Sequence, residues 1–290
     1  MILIADSGST KTDWRTIDTT GRVDQARTIG FNPYYQDSAA IAAELQTSLL
    51  PTIQETVTDV FYYGTGCNSE ESCGVVEKAI RAVFPDVQNV QVSSDLLGAA
   101  RALCHHNAGI ACILGTGSNA CLYDGRDIVQ LSGSLAFWLG DEGSGGYLGK
   151  TLVVRYLHDQ LPPELAEKFR KRYPKVDRLT VLDHAYKQPF PNRYFASFSK
   201  FLFDNRRHPV AYQMVYDAFS LFFDTYIRKF ADAEKLPIHF VGSVAFYYSD
   251  ILRQVANDKG LTVRHILETP IAGLTLYHQD AKSLLDGNAD

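Results

Sequence analysis

Two short segments rich in small polar residues each join two apolar stretches that are typical of β-strands. The first is DSGSTKT over residues 6–12, and the second is GTGSN over residues 115–119. Hairpin tips of this kind carry backbone N–H groups and hydroxyls that bind phosphate oxygens. An acidic residue beside them, here Asp6, can bind the Mg²⁺ that accompanies phosphate. The two segments together indicate nucleotide binding, while each alone is equally consistent with an ordinary polar hairpin.

Three further motifs place small or acidic residues where a predicted strand meets a predicted helix. Asp95 follows a strand, where it could act as a general base for a substrate hydroxyl or simply cap the next helix. Asp141 lies between glycines in LGDEGSGG, where its carboxylate could bind sugar hydroxyls or cap a helix. Gly242 and Ser243 form a strand-to-helix turn that could seat a nucleotide or be a routine connection. The residues alone leave these alternatives open.

The elements that must position these motifs fall into two similar halves, each opening with strands joined by hairpins. In the first half, the residue patterns predict strands over 2–6, 13–17, 22–29, 58–63 and 89–93 and helices over 38–55, 69–83 and 95–106. In the second half, they predict strands over 110–115, 118–124, 127–131, 238–241 and 261–265 and helices over 145–158, 163–171, 193–205, 209–233, 248–258 and 271–285. A helical insertion over about 145–235 therefore interrupts the second half.

Composition and charge argue against several classes of protein. The formal net charge is −5 and no basic tract is present, so nucleic acid is not expected as a partner. No apolar run reaches the roughly 20 residues that a membrane span needs, and no signal peptide precedes the first strand, so we expect a cytoplasmic protein without a membrane partner. The five cysteines form no C-x-x-C pair, which argues against a disulfide framework and against a zinc site.

Five motifs in order carry a resemblance that covers essentially the whole chain: DSGSTKTDW at 6–14, SSDLLGAARA at 93–102, ILGTGSNA at 113–120, LGDEGSGGYLG at 139–149 and VGSVA at 241–245. With these motifs the chain resembles an N-acetylglucosamine kinase-type member of the ATPase family that also includes the activators of benzoyl-CoA reductase and 2-hydroxyacyl-CoA dehydratase. That family belongs to the actin-like, ribonuclease H-like ATPase superfamily.

The resemblance implies an α/β fold with two ribonuclease H-like (actin-like ATPase) domains and a nucleotide cleft between them. The first domain is expected over residues 1–106 and the second over 107–290, with the helical insertion at about 145–235. The C-terminal helix, at about 271–286, is expected to pack back onto the first domain.

The resemblance also implies an ATP-dependent kinase whose cofactors are ATP and Mg²⁺. Asp6 is expected to bind the metal, and Asp95 is expected to be the base that faces the acceptor hydroxyl. The residues expected to contact ATP and its phosphates are Gly8, Ser9, Thr10, Lys11, Thr12, Gly115, Thr116, Gly117, Gly242 and Ser243. The residues expected to hold a small-molecule sugar are Asn32, Asp95, Ser118, Asn119 and Asp141.

One segment departs from the sugar kinases of this family. They carry a Gly-Trp-Gly-like segment a few residues before the GDEG motif, where this chain has Ser134, Leu135 and Ala136. N-acetylglucosamine is the expected acceptor, but the bulkier segment leaves the identity of the amino sugar open. The sequence also leaves open which hydroxyl is phosphorylated and whether the chain forms a homodimer.

Two other functions fit the same superfamily. An ATPase activator of the dehydratase or reductase type needs cysteines at a dimer face to hold an iron–sulfur cluster, whereas the cysteines here lie in or beside predicted core strands. A non-catalytic nucleotide-binding module of the actin-like fold needs no residues for a sugar. The acceptor-side set of Asn32, Asp95, Asn119 and Asp141 therefore favours a kinase that phosphorylates an amino sugar.

Overall fold

The structure of the chain, a computed structural model, describes residues 1–8 and 11–286, with side chains described up to residue 280. It divides into two units. Unit 1 comprises Met1–Asn107, the short turn Gly125–Asp127 and the segment that begins at Thr269; unit 2 comprises Ala108–Asp124 and Ile128–Glu268. Each unit contains one five-stranded mixed sheet with helices packed against it. The fold is therefore α/β, with one sheet in each half as the motifs predict.

The sheet of unit 1 has the strand order β3-β2-β1-β4-β5. Its strands are β1 (Ile2–Ser7), β2 (Lys11–Ile17), β3 (Val23–Ile29), β4 (Asp59–Gly64) and β5 (Asn89–Ser94). The first three pair antiparallel through hairpins, whereas β1, β4 and β5 run parallel. Because the carboxyl ends of parallel strands meet at one edge of a sheet, the residues that follow β1, β4 and β5 lie along the same edge.

Both faces of this sheet are buried, which explains the continuous apolar run at the N-terminus. Leu3 and Ala5 point into a core shared with Trp14, whereas Ile4 between them points into a second core on the opposite face. The helices of unit 1 are α1 (Ser38–Glu44), α2 (Glu70–Val83), α3 (Asp95–Cys104) and α13 (Ile271–Asp286). The C-terminal α13 packs on α3 and on β1, and thus belongs to unit 1.

One predicted helix of unit 1 differs in detail from the structure. The segment expected as a helix over 38–55 is α-helical only to Glu44, continues as a π-helical turn over Leu45–Leu49 and ends as a 3₁₀ turn over Leu50–Thr52. Pro51 is the physical reason for the early end, because proline has no backbone N–H to donate and its ring clashes with the preceding helical turn.

The sheet of unit 2 has the strand order β10-β9-β6-β7-β8, which repeats the connectivity of unit 1. Its strands are β6 (Gly109–Leu114), β7 (Ser118–Tyr123), β8 (Ile128–Leu131), β9 (Ile238–Val241) and β10 (Val263–Leu267). Again the first three pair antiparallel, and β6, β9 and β10 run parallel. The two halves therefore place their first hairpin tip at equivalent points of their sheets.

A set of helices follows the hairpins of unit 2 and buries an aromatic core that includes Phe169, Phe219 and Phe240. These helices are α4 (Ala136–Leu139), α5 (Gly145–Leu157), α6 (Pro163–Arg172), α7 (Arg178–Tyr186), α8 (Pro191–Ala196), α9 (Ser199–Asp204), α10 (Pro209–Phe222), α11 (Ser243–Tyr247) and α12 (Ser249–Asp258). In the part of the chain that the structure describes, no helix is both long and apolar enough to cross a membrane.

Three predictions in the insertion were wrong. The helix predicted over 193–205 is two helices, α8 and α9, and the helix predicted over 209–233 ends with a π-helical turn at Ile227. The helix α7 was missed because only Val181 on it is buried, so its apolar pattern is weak even though Asp177 caps it by accepting a hydrogen bond from the backbone of Thr180. Tertiary packing, rather than periodicity, sets these boundaries.

Candidate functional site

Asp6 lies in β1 just before the first hairpin tip and is directly opposite Asp13 on β2. Burial, together with the charges of Asp95 and Asp13, raises the pKa of Asp6 to about 7, although the charge of Lys11 opposes the rise. Repulsion among carboxylates is relieved when a cation binds between them, so Asp6 sits in surroundings that favour a cation.

The carboxylate of Asp6 is the group that the sequence assigned to Mg²⁺. After burial, the charge of Asp95 is the next largest cause of the raised pKa of Asp6, and both residues lie at the same edge of the unit 1 sheet. Within the described residues no group of three or more His, Cys, Asp or Glu side chains could hold a metal ion. One carboxylate nevertheless suits Mg²⁺, which keeps several waters and takes its other ligands from phosphates.

The first hairpin tip holds its own backbone in place. The N–H of Gly8 donates to the carbonyl of Lys11, at 3.0 Å, and the Lys11 ammonium forms an ion pair with Asp13, at 2.7 Å. Arg27 contacts the other oxygen of Asp13 at 2.7 Å, so two cations lower the pKa of that carboxyl, although burial opposes them. The predictions for Ser9 and Thr10 lie outside the described residues.

The side chain of Thr12, a residue predicted to contact ATP or its phosphates, lies inside unit 1. Thr12 is fully buried, and its hydroxyl contacts Ser7 Oγ at 2.7 Å and donates to the carbonyl of Ile29 at 3.0 Å. The backbone N–H of Phe31 also donates to Ser7 Oγ. Thr12 therefore links the three strands of the hairpins internally, because its position on β2 points to the covered face of the sheet.

Asp95 is the first residue of α3, and the residue that caps this helix is Ser94. Ser94 Oγ accepts a hydrogen bond from the backbone N–H of Leu97, at 3.3 Å. The carboxylate of Asp95 instead accepts a hydrogen bond from Thr65 Oγ1, at 2.8 Å. Burial raises the pKa of Asp95, and the hydrogen bond from Thr65 opposes that rise. Ser94 thus caps the helix, and the carboxylate of Asp95 is available for chemistry.

The turn after β4 brings Asn32 and Asp95 to the same part of unit 1. Thr65 contacts Asp95. The neighbouring Gly66 has φ +84, and a Cβ there would lie 2.7 Å from Asn32 Oδ1, so the position has no room for a side chain. That oxygen accepts a hydrogen bond from the backbone N–H of Tyr34 at 3.0 Å, so Asn32 also shapes its own turn. Sequence reasoning missed Thr65, yet its Gly-Thr-Gly triplet is identical to the one at the second hairpin tip.

The second tip, over residues 115–117, is anchored to the start of α5. The carbonyls of Gly115 and Thr116 accept hydrogen bonds from the N–H groups of Gly145 and Gly146, at 2.8 and 3.0 Å. Thr116 itself is exposed. These hydrogen bonds thus hold the backbone of the tip in place, and the hydroxyl of Thr116 is accessible.

Gly242 lies against the second tip. Its φ is +122, and a Cβ there would lie 2.3 Å from the carbonyl oxygen of Leu114, so only glycine allows this approach. Ser243, which begins α11, is exposed beside it. The structure therefore brings together the residues of unit 2 that the sequence assigned to the nucleotide: Gly115, Thr116, Gly117, Gly242 and Ser243.

Asp141 is buried and has a left-handed backbone, with φ +60. Its Oδ1 accepts hydrogen bonds from the backbone N–H of Ser118, at 3.2 Å, and from Ser134 Oγ, at 3.5 Å. Gly117 is close as well, since a Cβ there would lie 2.8 Å from Asp141 Oδ2. Burial raises the pKa of Asp141, and the neighbouring Glu142 adds to the rise. The carboxylate is thus fixed against the end of the second tip.

Ser118 and Asn119, which the sequence assigned to a sugar, begin β7, and Ser118 contacts this carboxylate through its backbone. Among the described residues, Ser118 Oγ is a buried hydroxyl with no hydrogen-bond partner. Asn119 Oδ1 accepts hydrogen bonds from the backbone N–H of Ala120, at 2.9 Å, and from Ser132 Oγ, at 3.2 Å, which fixes the orientation of its amide. An unpaired buried hydroxyl is costly, and it is a group that a polar ligand can satisfy.

The segment that departs from the sugar kinases contributes a side chain to this site. Ser134 Oγ donates to the carbonyl of Ser118, at 2.9 Å, in addition to its contact with Asp141. Ala136 has φ +59, a conformation that favours glycine.

A scan against protein-family models finds no match to the chain, and a search of curated proteins finds none. Among solved structures, the chain is similar to a "putative N-acetylglucosamine kinase" from Porphyromonas gingivalis, with 39% sequence identity and a TM-score of 0.91 over 97% of this chain and 100% of that one.

Two more distant structures share the fold. A "putative N-acetylglucosamine kinase" from Chromobacterium violaceum is 18% identical, with a TM-score of 0.73 over 95% of this chain and 98% of that one. The ROK hexokinase from Thermus thermophilus is 14% identical, with a TM-score of 0.54 over 97% and 99% of the two chains. Because the Porphyromonas protein is similar in sequence over almost the full length of both chains, this chain belongs to the family of N-acetylglucosamine kinase-type proteins with the actin-like ATPase fold.

Proposed function

We propose that the protein is an ATP-dependent kinase that transfers a phosphoryl group to a hydroxyl of an amino sugar, with N-acetylglucosamine as the acceptor. The observation that carries the proposal is the carboxylate of Asp95, which lies at the edge of the unit 1 sheet, close to Asp6, and is held by Thr65. Helix capping, the alternative role for Asp95, is performed by Ser94. The similarity to the Porphyromonas protein supports the same conclusion.

Each unit carries hydrogen-bonding side chains that would suit a hydroxyl-rich acceptor. In unit 1 these are Asn32 and Asp95, which the turn at Thr65 and Gly66 brings together. In unit 2 they are Asp141, Ser118, whose backbone N–H donates to Asp141, and the adjacent Asn119. Hydroxyl-rich ligands need carboxylate and amide groups in fixed orientations, because each buried hydrogen bond that is lost costs affinity.

In unit 2 the residues proposed for the nucleotide are the tip at 115–117 and the adjacent turn of Gly242 and Ser243. In unit 1 the residues proposed for its phosphates are Gly8, Ser9, Thr10 and Lys11. Thr12 is not included, because its side chain is buried within unit 1. Asp6 would hold the Mg²⁺ that accompanies ATP. When bound, Mg·ATP supplies the phosphoryl group for transfer.

In this mechanism the chain's own residues align the acceptor and accept its proton. Asp95 would orient the attacking hydroxyl, and its Oδ1 or Oδ2 would take the proton as the new O–P bond forms. Because burial raises the pKa of Asp95, the carboxylate is a stronger base than an exposed aspartate. Asp141 and Asn32 would fix the sugar so that one hydroxyl faces Asp95.

The alternative of an iron–sulfur ATPase activator is tested by the cysteines. Cys67, Cys104, Cys112 and Cys121 are buried and Cys73 is half-buried, whereas a cluster shared across a dimer needs thiolates at the surface. Protein purified without oxygen is expected to contain no stoichiometric iron. A full-occupancy [4Fe–4S] absorption spectrum would contradict the kinase proposal in favour of the activator.

The decisive experiment is a panel of sugars assayed for ATP-dependent phosphorylation. The panel contains N-acetylglucosamine, N-acetylmuramic acid, glucosamine and, as a control without the amino group, glucose. We expect turnover with N-acetylglucosamine above all others, read as ADP release coupled to formation of a sugar phosphate. Binding of ATP without turnover on any amino sugar would instead indicate a non-catalytic nucleotide-binding module.

A further inference from the structure

The backbone around Asp141 is held in a conformation that needs support from elsewhere in unit 2. Asp141 has φ +60, a left-handed region in which a residue with a side chain is strained. Gly140 precedes it and Gly143, with φ +79, follows two residues later. A strained carboxylate keeps its position only where surrounding groups fix it, because the chain otherwise relaxes to a more favourable region.

The hydroxyl of Tyr226 provides that support. Tyr226 Oη accepts a hydrogen bond from the backbone N–H of Asp141, at 3.2 Å, and donates one to Glu142 Oε2, at 2.5 Å. The Tyr226 hydroxyl thus contacts both the backbone of Asp141 and the side chain of Glu142. Tyr226 is 85 residues from Asp141 in the sequence. Its ring is 2% exposed, so water does not replace these contacts.

Two close approaches fix Tyr226 and its helix against the same loop. A Cβ on Gly140 would lie 3.0 Å from Tyr226 Oη, and a Cβ on Gly143 would lie 3.1 Å from Phe222 Cβ. Phe222 ends α10, and its ring packs 5.1 Å from the ring of Tyr226, measured between centroids. The loop therefore contacts Tyr226 at Gly140 and Phe222 at Gly143. Neither glycine has a side chain that would prevent the contact.

Tyr226 lies in the π-helical turn Phe223–Ile227 that follows α10. A π-helical turn carries an extra residue relative to an α-helical one, so it changes the direction in which the following side chains point, and such turns are frequent at functional sites. Burial and the hydrogen bond to Glu142 raise the pKa of Tyr226 to about 12, which keeps the phenol protonated as a donor.

From this geometry we infer that Tyr226 is a positioning residue for Asp141, and that its hydroxyl sets the affinity of the enzyme for the acceptor sugar. The inference rests on the proposed function, in which Asp141 binds the sugar. Tyr226 acts through Asp141 and Glu142, so it is expected to affect binding of the sugar and not the transfer of the phosphoryl group. Its contacts lie entirely within unit 2.

The test compares Tyr226→Phe with Tyr248→Phe, a matched control. Tyr248 is also buried in unit 2, and its hydroxyl donates to the carbonyl of Ser199 at 2.6 Å rather than to the backbone of residues 140–143. Loss of one buried hydrogen bond to a binding residue is expected to raise the KM for the sugar by about tenfold in Tyr226→Phe. Its kcat and its KM for ATP are expected to stay within about twofold of wild type. Tyr248→Phe is expected to leave all three constants within the same range.

A conservative pair separates the two hydrogen bonds of the phenol. Glu142→Gln keeps an oxygen that accepts from Tyr226 Oη, so we expect a sugar KM close to that of wild type. Glu142→Ala removes the acceptor and lets the phenol rotate, so we expect the KM to rise toward that of Tyr226→Phe. If Glu142 only stabilised the fold, Glu142→Gln and Glu142→Ala would both have a lower melting temperature and would not differ in their KM for the sugar.

A second readout does not depend on turnover. Amide hydrogen exchange at residues 140–143, measured on the protein without substrate, is expected to be faster in Tyr226→Phe and unchanged in Tyr248→Phe, because the N–H of Asp141 loses its acceptor. Unchanged exchange, or an unchanged sugar KM in an active enzyme, would overturn the inference. A wild-type protein that phosphorylates no sugar would contradict only the proposed function, since the exchange result still decides the role of Tyr226.

Discussion

The hydroxyl of Thr65 donates a hydrogen bond to the carboxylate of Asp95, with 2.8 Å between Oγ1 and Oδ2. The two residues follow neighbouring parallel strands, β4 and β5, and therefore meet at the same edge of the sheet. The hydrogen bond favours the charged form of Asp95, whose pKa is raised by burial. Thr65 thus adjusts the group that we propose as the base.

Thr65→Val is expected to shift the pH dependence of the kinase. Without the donor, the pKa of Asp95 rises further, because a hydrogen bond to the carboxylate no longer opposes burial. The acid limb of the kcat/KM profile should therefore move to higher pH, while Thr65→Ser, which keeps a hydroxyl, should retain the wild-type profile. An identical acid limb in the valine variant would show that Thr65 does not contact the base during catalysis.

Asp95→Asn is expected to separate nucleotide binding from chemistry. The amide keeps the size of the side chain but does not accept a proton, so the rate of sugar phosphorylation should fall by about 10²-fold or more, while the affinity for ATP stays within a few-fold. Steady-state kinetics and calorimetric titration with ATP measure the two quantities. A variant with near-normal kcat would reduce Asp95 to a structural residue and refute the mechanism.

Asp141→Ala and Asn32→Ala are expected to affect the sugar rather than the transfer step. Asp141 is a buried carboxylate, and a hydrogen bond to a charged group contributes more to affinity than one to a neutral amide. The sugar KM should therefore rise by roughly 10–100-fold in Asp141→Ala and by less in Asn32→Ala. The KM for ATP serves as the internal control. A strong rise of both KM values together would indicate damage to the fold.

Binding of Mg·ATP is expected to depend on Asp6 and on pH. Because the pKa of Asp6 is about 7, protons compete with the cation, and the affinity for Mg²⁺ should weaken by about tenfold between pH 8 and pH 6. Asp6→Asn should reduce the thermal stabilisation by Mg·ATP, whereas Asp24→Asn, at an exposed aspartate on β3, should not. The absence of any thermal shift or calorimetric signal with saturating Mg·ATP would reject the nucleotide assignment.

Acid should destabilise the protein through His278. Its ring accepts or donates a hydrogen bond with Tyr63 Oη at 2.9 Å and stacks on Phe61 in the core between α13 and the sheet. Burial, with the nearby charge of Arg101, lowers its pKa to about 3. Between pH 6.5 and about 3, His278 is therefore neutral in the folded state but protonated in the unfolded chain. The contribution of His278 to stability is complete above pH 6.5 and is lost progressively as the pH falls toward 3.

His278→Gln isolates this contribution. The free energy of unfolding of the wild type should fall by roughly 1.4 kcal/mol for each pH unit below 6.5 relative to that of the variant. Denaturant titrations at pH 7.0, 6.0 and 5.0 measure the difference, and His158→Gln, at an exposed histidine, is the matched control. Parallel stability curves for the wild type and His278→Gln would show that the histidine titrates alike in both states.

The strands could be predicted from the sequence because local patterns report which faces of an element are buried. The run over residues 2–5 alternates between the two covered faces of its sheet, and the small polar segments at 6–12 and 115–119 mark the ends of strands. Parallel pairing then places Asp6 and Asp95 at one edge. The roles proposed for these two carboxylates therefore rest on their type and on their position at the ends of strands.

Only the tertiary structure decided which side chains complete the site. Thr12 is a hydroxyl residue in a phosphate-type motif, yet its position on β2 turns it into the core. Asp95 was a possible helix cap, but Ser94 caps the helix by accepting from the Leu97 N–H, while Asp95 accepts from Thr65. Tyr226 contacts Asp141 across 85 residues of sequence. Contacts of this kind depend on how helices and loops pack, whereas residue types and their periodicity report only on local structure.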